Sequence, residues 1–445
     1  MAAKQTYFGL NLGTKNTYLS VLDKGSNTPK LLKKFPSEVV VTNQVDKNDI
    51  NPKDYLPGFL RLIGRNFDDP IVQKDKEKAP YKIIKGPNGY AWYETSYGRH
   101  LSPTQLLEMF ILKIKGFAES YLGEGSSVSG IIYTFPSRLP SVQFEAISHA
   151  VSKVWCVDES SFVHEFAAAA AFYGLITRRG LYAIVDLGAR TLDIVLFKVS
   201  FGVCRSFSLK RLPMRDMFLG GDDFDDAIVK YLVSEFKSLE GIDLVEDVLV
   251  LLKIQKAAEE AKIALSTTLE TEINMPNIIT DSSGVAKDLK ITLTRAKFQS
   301  LVTDLIEKIK KHCESVMNEA SITSRNVDEV VLVGGMANVP MVRRVVAEVF
   351  AKAPHRGVNP EEAVVLGTAC SVEASCLGVN SSCLDAYTWD RSANSKHPFS
   401  FFSYITLIFF YVNCNIFMSM VECVLFFNSE SRKILMIMVV SQLDH

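Results

Sequence analysis

Four glycine-bearing joints and three carboxylates hold the chemistry that this sequence could perform. The joints are Gly13-Thr14, Gly188 to Thr191, Gly220-Gly221 and Gly334-Gly335. A phosphate tail needs backbone N–H donors that can come close, and glycine permits that approach. Where a Gly-Gly pair leads from a strand into a helix, the helix N-terminus adds a field that favours anions. Each joint taken singly is more often an ordinary turn. Taken together, with Glu165, Asp186 and Asp193 available for Mg2+ and water, they point to bound polyphosphate. The chain has no GxxxxGK[ST] run, which disfavours a P-loop.

The elements that must position these groups can be read from periodicity. Residues 6–22 form a hairpin around the turn Gly13-Thr14-Lys15-Asn16. The same pattern returns as Tyr182 to Asp186, a turn at Leu187 to Thr191, and Leu192 to Phe197. Two strand–Leu-Gly-x-x–strand copies, half a module apart, suggest an internally duplicated α/β fold. Between them, Ser102-Pro103 opens a helix with Leu107, Phe110, Ile111 and Ile114 on one face. A strand over 129–136 ends at Pro136, a helix covers 141–154, a short strand lies near Phe162-Val163, and an alanine-rich helix over 166–173 stops at Gly174. After Gly220-Gly221 comes a helix with Ile228, Tyr231, Leu232 and Phe236 inward, then a helix over 253–266 and strands near 269–275 and 289–293. Thr294 caps one long helix bearing Phe298, Leu301, Leu305 and Ile309. Val330 to Val333 is a buried strand running into Gly334-Gly335, and a helix over 339–350 follows.

The 445 residues allow two to three domain-sized units, and with 49 basic against 50 acidic residues nothing suggests the basic stripe of a nucleic-acid binder. The 8 cysteines form no CxxC pair and the 7 histidines lack ligand spacing, so the reading is reduced thiols and no zinc site. The N-terminus shows neither a signal-peptide apolar region nor a long Arg/Ser-rich presequence.

Several longer runs resemble the nucleotide-binding domain of the seventy-kilodalton heat-shock chaperones (the DnaK family), in the actin-like ATPase superfamily and nearest its mitochondrial and bacterial branch. They are Arg61 to Asp69, Phe218 to Asp225, Val331 to Gly335 with Val339-Pro340, and Asn359 to Ala363. The resemblance covers about residues 7–375. It implies two α/β lobes around a nucleotide cleft, with residues 1–175 as the first lobe, 176–356 as the second and 357–378 returning to the first. It implies ATP or ADP with Mg2+ as ligands, and J-domain co-chaperones and nucleotide-exchange factors as partners. By the same resemblance Asn11, Gly13, Thr14 and Lys15 line the first phosphate loop, and Asp186, Gly188 and Thr191 the second. Glu165 and Asp186 hold Mg2+ through water with Asn11 beside them, and Asp193 helps orient the attacking water. Gly220 and Gly221 form a further loop. Glu259, Lys262 and Ser266 face the adenosine from one side of a helix, with Gly334, Gly335, Met336 and Glu361 beneath the ribose and base. Pro136 matches the family's relay proline.

Five departures bear on the expected chemistry. Asn11 stands where the family has aspartate, and its second loop has Ala189 and Arg190 in place of glycines. Two readings of that loop stand: backbone strain if a left-handed conformation is needed, or an Arg190–phosphate pair. The family's catalytic lysine has no clean counterpart, Lys47 being nearest but out of register. Phe144 replaces the relay arginine, and Asn338 an arginine near the adenine. ATP binding with slow or absent hydrolysis is therefore expected. A non-catalytic regulatory module engaging chaperone partners is the alternative, and the chaperone-specific runs argue against a sugar kinase.

Residues 379–445 depart from the family altogether. They contain no peptide-binding domain, so direct capture of unfolded peptide is not expected. The uncharged run 399–421 is long enough to span a membrane. An altered reading frame, a tail anchor and a segment packed on the module are the three readings of it. The expected compartment is the cytoplasm or the mitochondrion.

Overall fold

The computed structural model describes residues 6–23, 28–41, 51–79, 81–123, 128, 130–136, 138–155, 162–200, 203–206, 214–245, 247–281, 284–355, 359–376, 422–428 and 433–439. They fall into two compact units, one spanning Met1–Trp389 and the other Asp390–His445.

The larger unit is built on two sheets that repeat one plan. In the first, Thr6–Leu12 pairs antiparallel with Asn16–Asp23 and parallel with Gly130–Phe135. In the second, Gly180–Leu187 pairs antiparallel with Leu192–Ser200 and parallel with Glu329–Val333. Each sheet thus has a central strand flanked by its hairpin partner and by a strand that returns from a helical crossover, as parallel pairing requires. The duplication suggested by two short turns is present as topology. Each sheet has five strands: Pro29–Pro36 and Phe162–His164 complete the first, Val203–Ser206 and Met214–Asp216 the second.

Local chemistry explains the helices that carry the site. Ser102 caps Pro103–Leu122 with a full capping box, and Pro103 occupies the first turn where a missing N–H costs nothing. Leu107, Phe110, Ile111 and Ile114 face the first sheet's core beside Phe8 and Leu10. Gly220 opens Gly221–Glu240, where the Asp223 carboxylate reaches back to the Gly220 N–H at 2.9 Å. Its Phe224, Ile228, Leu232 and Phe236 enter the second core. Two expectations need correction. The helix expected over 253–266 runs Val248–Ala264, because the Asp247 carboxylate takes the Leu249 and Val250 N–H groups. The single long helix after Thr294 is two helices, Arg295–Leu301 and Thr303–Glu319, with Val302 leaving helical geometry between them.

The alanine-rich helix Glu165–Phe172 lies against the return helix Ala363–Cys376, which also packs on the first sheet. They cross closely at Gly367, where any Cβ would run into the Ala168 carbonyl. Residues of these helices and of the second sheet, including Ala167 to Ala170, Ile184, Val331 and Val364, form a third cluster.

In the smaller unit, Glu422–Asn428 and Lys433–Val439 pair as an antiparallel hairpin. The 399–421 run lies outside the described residues. No helix among the described residues is long and apolar enough to cross a membrane.

Candidate functional site

A cleft of about 500 Å³ opens between the two hairpin turns. Gly13, Thr14 and Lys15 line it from the first turn, and Gly188, Ala189 and Thr191 from the second. Asn11, Glu165 and Asp186 line one wall. Gly221, Glu259, Lys262 and Ser266 come from two helices of the second half, and Gly334, Gly335, Met336 and Glu361 close the remaining side. Two expected site residues, Asp193 and Gly220, are not among the lining residues. Gly220 is held behind the second turn, 2.5 Å from its position being all that separates a would-be Cβ from the Ala189 carbonyl.

The turns are shaped by hydrogen bonds that leave little slack. The Ser37 hydroxyl donates to the Gly13 carbonyl at 2.6 Å, and the Ser37 N–H to the Lys15 carbonyl at 2.9 Å. The Gly188 N–H donates to the Thr191 carbonyl at 3.0 Å, while the Gly188 and Ala189 carbonyls accept from the Gly221 and Asp222 N–H groups at 3.0 and 2.8 Å. At Gly334 the backbone has φ of 84° and a Cβ would sit 2.7 Å from an Asp186 oxygen, so both conformation and space demand glycine.

Electrostatics divide the cleft into two regions. In one, Lys15 Nζ lies 2.8 Å from Glu259, 3.2 Å from Asp222 and 3.5 Å from Asp225. Burial alone would lower its pKa, but these three carboxylates together raise it. Lys262 is bound to Asp225 at 2.7 Å and donates to the Gly221 carbonyl at 3.0 Å, and Ser266 donates to the Lys262 carbonyl at 3.3 Å. Glu361 accepts from Tyr18 at 2.8 Å and from Lys34 at 3.0 Å.

In the other region carboxyl groups crowd. Burial raises the pKa of Glu165, with Asp186 and Asp193 adding to the rise. Burial and Asp193 do the same to Asp186. Asn11 has no charge to contribute; its amide donates to Thr134 at 2.7 Å and to Glu165 at 3.1 Å. Asp193 turns toward Arg215, whose Nε is 3.5 Å away. This crowding of acids suits a cation held through water between Glu165, Asp186 and a phosphate. Among the described residues no group of three or more His, Cys, Asp or Glu side chains is arranged as a direct metal cage.

The structure bears out neither reading of the second loop. The non-glycine residues with left-handed backbone among those described are Asn277, Ser321 and Ala351, so neither Ala189 nor Arg190 carries that strain. Arg190 does not line the cleft. Its Nε meets Asp222 at 2.8 Å, and its guanidinium lies over Gly58. Phe144, at the relay-arginine position, packs against Phe135 and Phe162 with ring centroids 5.2 and 4.9 Å away. His164 joins this aromatic cluster at 4.4 Å from Phe135, and burial brings its pKa down to about 4. Pro136 and Asn338 both line the cleft. Lys47 lies outside the described residues. Sequence reasoning missed Arg215, Asp222, Asp225, Tyr18 and Lys34. Apart from the Asp-rich start of the helix after Gly221, no local signal marks them.

Two hairpin turns, a Gly-Gly loop and a carboxylate wall around one cleft define an actin-like nucleotide-binding fold. Comparison with known proteins places it more narrowly. The pattern of the Hsp70 protein family matches residues 7–382. Similar proteins include the mitochondrial heat shock 70 kDa protein of Pisum sativum, 43% identical over 374 residues, and that of Solanum tuberosum, 42% identical over 374 residues. In both cases the match covers 81% of this chain and 54% of the relative. The chain belongs to the Hsp70 family, and it spans about half the length of these curated relatives.

Proposed function

We propose that the cleft binds ATP and ADP with Mg2+ and that the module hydrolyses ATP slowly or not at all. The observation that carries this reading is the convergence of Gly13-Thr14, Gly188 to Thr191 and Gly334-Gly335 on one cleft beside Glu165 and Asp186. Gly13, Thr14, Gly188 and Thr191 offer backbone and hydroxyl donors to the phosphates. Glu259, Lys262, Ser266 and Met336 flank the nucleoside. Glu165 and Asp186 hold the waters of Mg2+, and that ion supplies charge neutralisation for the phosphates when bound. Asn11 gives it a neutral neighbour, so the ion is held less firmly.

In-line phosphoryl transfer depends on positioning and on charge stabilisation. Asp193, the residue expected to orient water, is buried against Arg215 rather than lining the cleft. This arrangement favours binding over cleavage. Calorimetric titration with Mg-ATP, followed by single-turnover hydrolysis, tests both halves. Binding with little turnover is expected; absence of binding, or turnover typical of an active chaperone ATPase, overturns the corresponding half.

A second reading is a regulatory module that engages J-domain co-chaperones and nucleotide-exchange factors without productive hydrolysis. It is favoured by Phe144, whose aromatic packing beside Pro136 supplies no charged relay. A mitochondrial location is supported by the names of the relatives.

A further inference from the structure

We propose that Arg215 is a tethered cation at the carboxylate end of the cleft, and that it lets this chain hold a nucleotide's phosphates without a divalent ion. The proposal rests on the reading of the cleft as a nucleotide site.

The register of the second sheet places the residue. Asp186 pairs directly with Asp193 across the hairpin, and Asp193 pairs directly with Arg215 on the next strand. Side chains of directly paired residues share one face of a sheet. Asp186, Asp193 and Arg215 therefore form a row across three strands. Arg215 lines the cleft with its side chain only 9% exposed. One end of its guanidinium is anchored, Nη1 donating to the Arg138 carbonyl at 3.1 Å. Its Nε is buried without a hydrogen bond, 3.5 Å from the Asp193 carboxylate.

The cations that line the rest of the cleft, and Arg190 behind it, are engaged elsewhere, while the exposed Arg138 also acts on Asp193. Lys15 is held by Asp222, Asp225 and Glu259, Lys262 by Asp225, Lys34 by Glu361, and Arg190 by Asp222. At the carboxylate end, Arg215 faces Glu165, Asp186 and Asp193, and its charge offsets part of the crowding at each of them. A guanidinium keeps its charge at all working pH values and presents planar paired donors that match phosphate oxygens. It can thus do part of what a divalent ion does: balance the acid wall and accept the phosphate charge beside it. Asn11 reduces the need further, since one carboxylate fewer has to be balanced.

The test compares ADP binding by the full chain in Mg2+ and in excess EDTA, for the wild type and for Arg215→Gln and Arg215→Lys. Wild-type affinity should change by less than about threefold on removing Mg2+. Arg215→Gln should weaken by at least about tenfold in EDTA and recover most of that loss in Mg2+, a charge-assisted contact being worth roughly that factor. Arg215→Lys, which keeps the charge, should fall between them. A wild type that binds ADP in Mg2+ but loses it in EDTA overturns the role of Arg215 and leaves the nucleotide site standing. That comparison needs no variant to fold. A wild type that binds no ADP in either buffer overturns the nucleotide reading itself. Equal Mg2+ dependence of wild type and Arg215→Gln, with unchanged circular dichroism, also overturns the proposal.

Discussion

Asp225 has no exposed surface, yet it holds two lysines, Lys262 at 2.7 Å and Lys15 at 3.5 Å. Burial pushes its pKa up and the lysines pull it back. Such a pair adds little net stability when intact but is costly when broken, because the remaining charge stays buried. Lys262→Met is therefore expected to destabilise the module by about 3–5 kcal/mol in denaturant melts. Adding Asp225→Asn should restore more than half of that loss, and a double variant no better than the single one would refute the pairing. Cys313 offers a second residue-scale check. Burial pushes its thiol up to about 12, and only the thiolate is reactive. At pH 8 the thiolate fraction is on the order of 10⁻⁴, so peptide mapping after iodoacetamide treatment should find Cys313 unmodified until the fold is denatured. The glycines of the cleft were legible in the sequence because close backbone approach admits so few alternatives. Arg215 was not, because its place depends on lying opposite Asp193 across a strand pairing, which no spacing in the chain reveals.

Elements were legible where one face is buried. Leu107, Phe110, Ile111 and Ile114 announce their helix, and the two hairpins announce the duplicated sheets. Boundaries were less legible, because caps and breaks are set by single side chains. Asp247 starts a helix five residues earlier than the apolar pattern suggested, and Val302 divides a pattern that reads as continuous. The contact between the alanine-rich helix and the return helix shows what composition does report. Small residues let two backbones approach, and at Gly367 the approach is so close that no Cβ fits. Gly367→Ala should force the helices apart and cost about 1–3 kcal/mol, in the range of overpacked cores. Thermal melts would show it as a lowered midpoint. An unchanged midpoint would mean that the helices separate without cost, which is incompatible with their buried alanines Ala167 to Ala170.

At the scale of the whole molecule, composition marks a change after about residue 378, and the compact units divide at Trp389 and Asp390. The residues lining the cleft run from Asn11 to Val364, all within the first unit. The return helix, which ends at Cys376, also belongs to it and supplies Val364 to the cleft wall and Ala363 to the third core cluster. A chain ending at Trp389 thus retains every group assigned to nucleotide binding and the three large core clusters. Domains with their own core keep their stability and binding when a separate unit is removed. Truncation after Trp389 should leave ADP affinity within about twofold of the full chain, since every group assigned to the cleft remains. Calorimetry on the two chains side by side provides the measurement. A loss beyond tenfold, with the truncated chain still folded by circular dichroism, would show that residues 390–445 take part in the site. Residues 360 to 364 make the complementary case, since Pro360, Glu361 and Val364 all line the cleft. A chain ending before Pro360 would lose that wall together with the return helix, and binding should disappear with the fold.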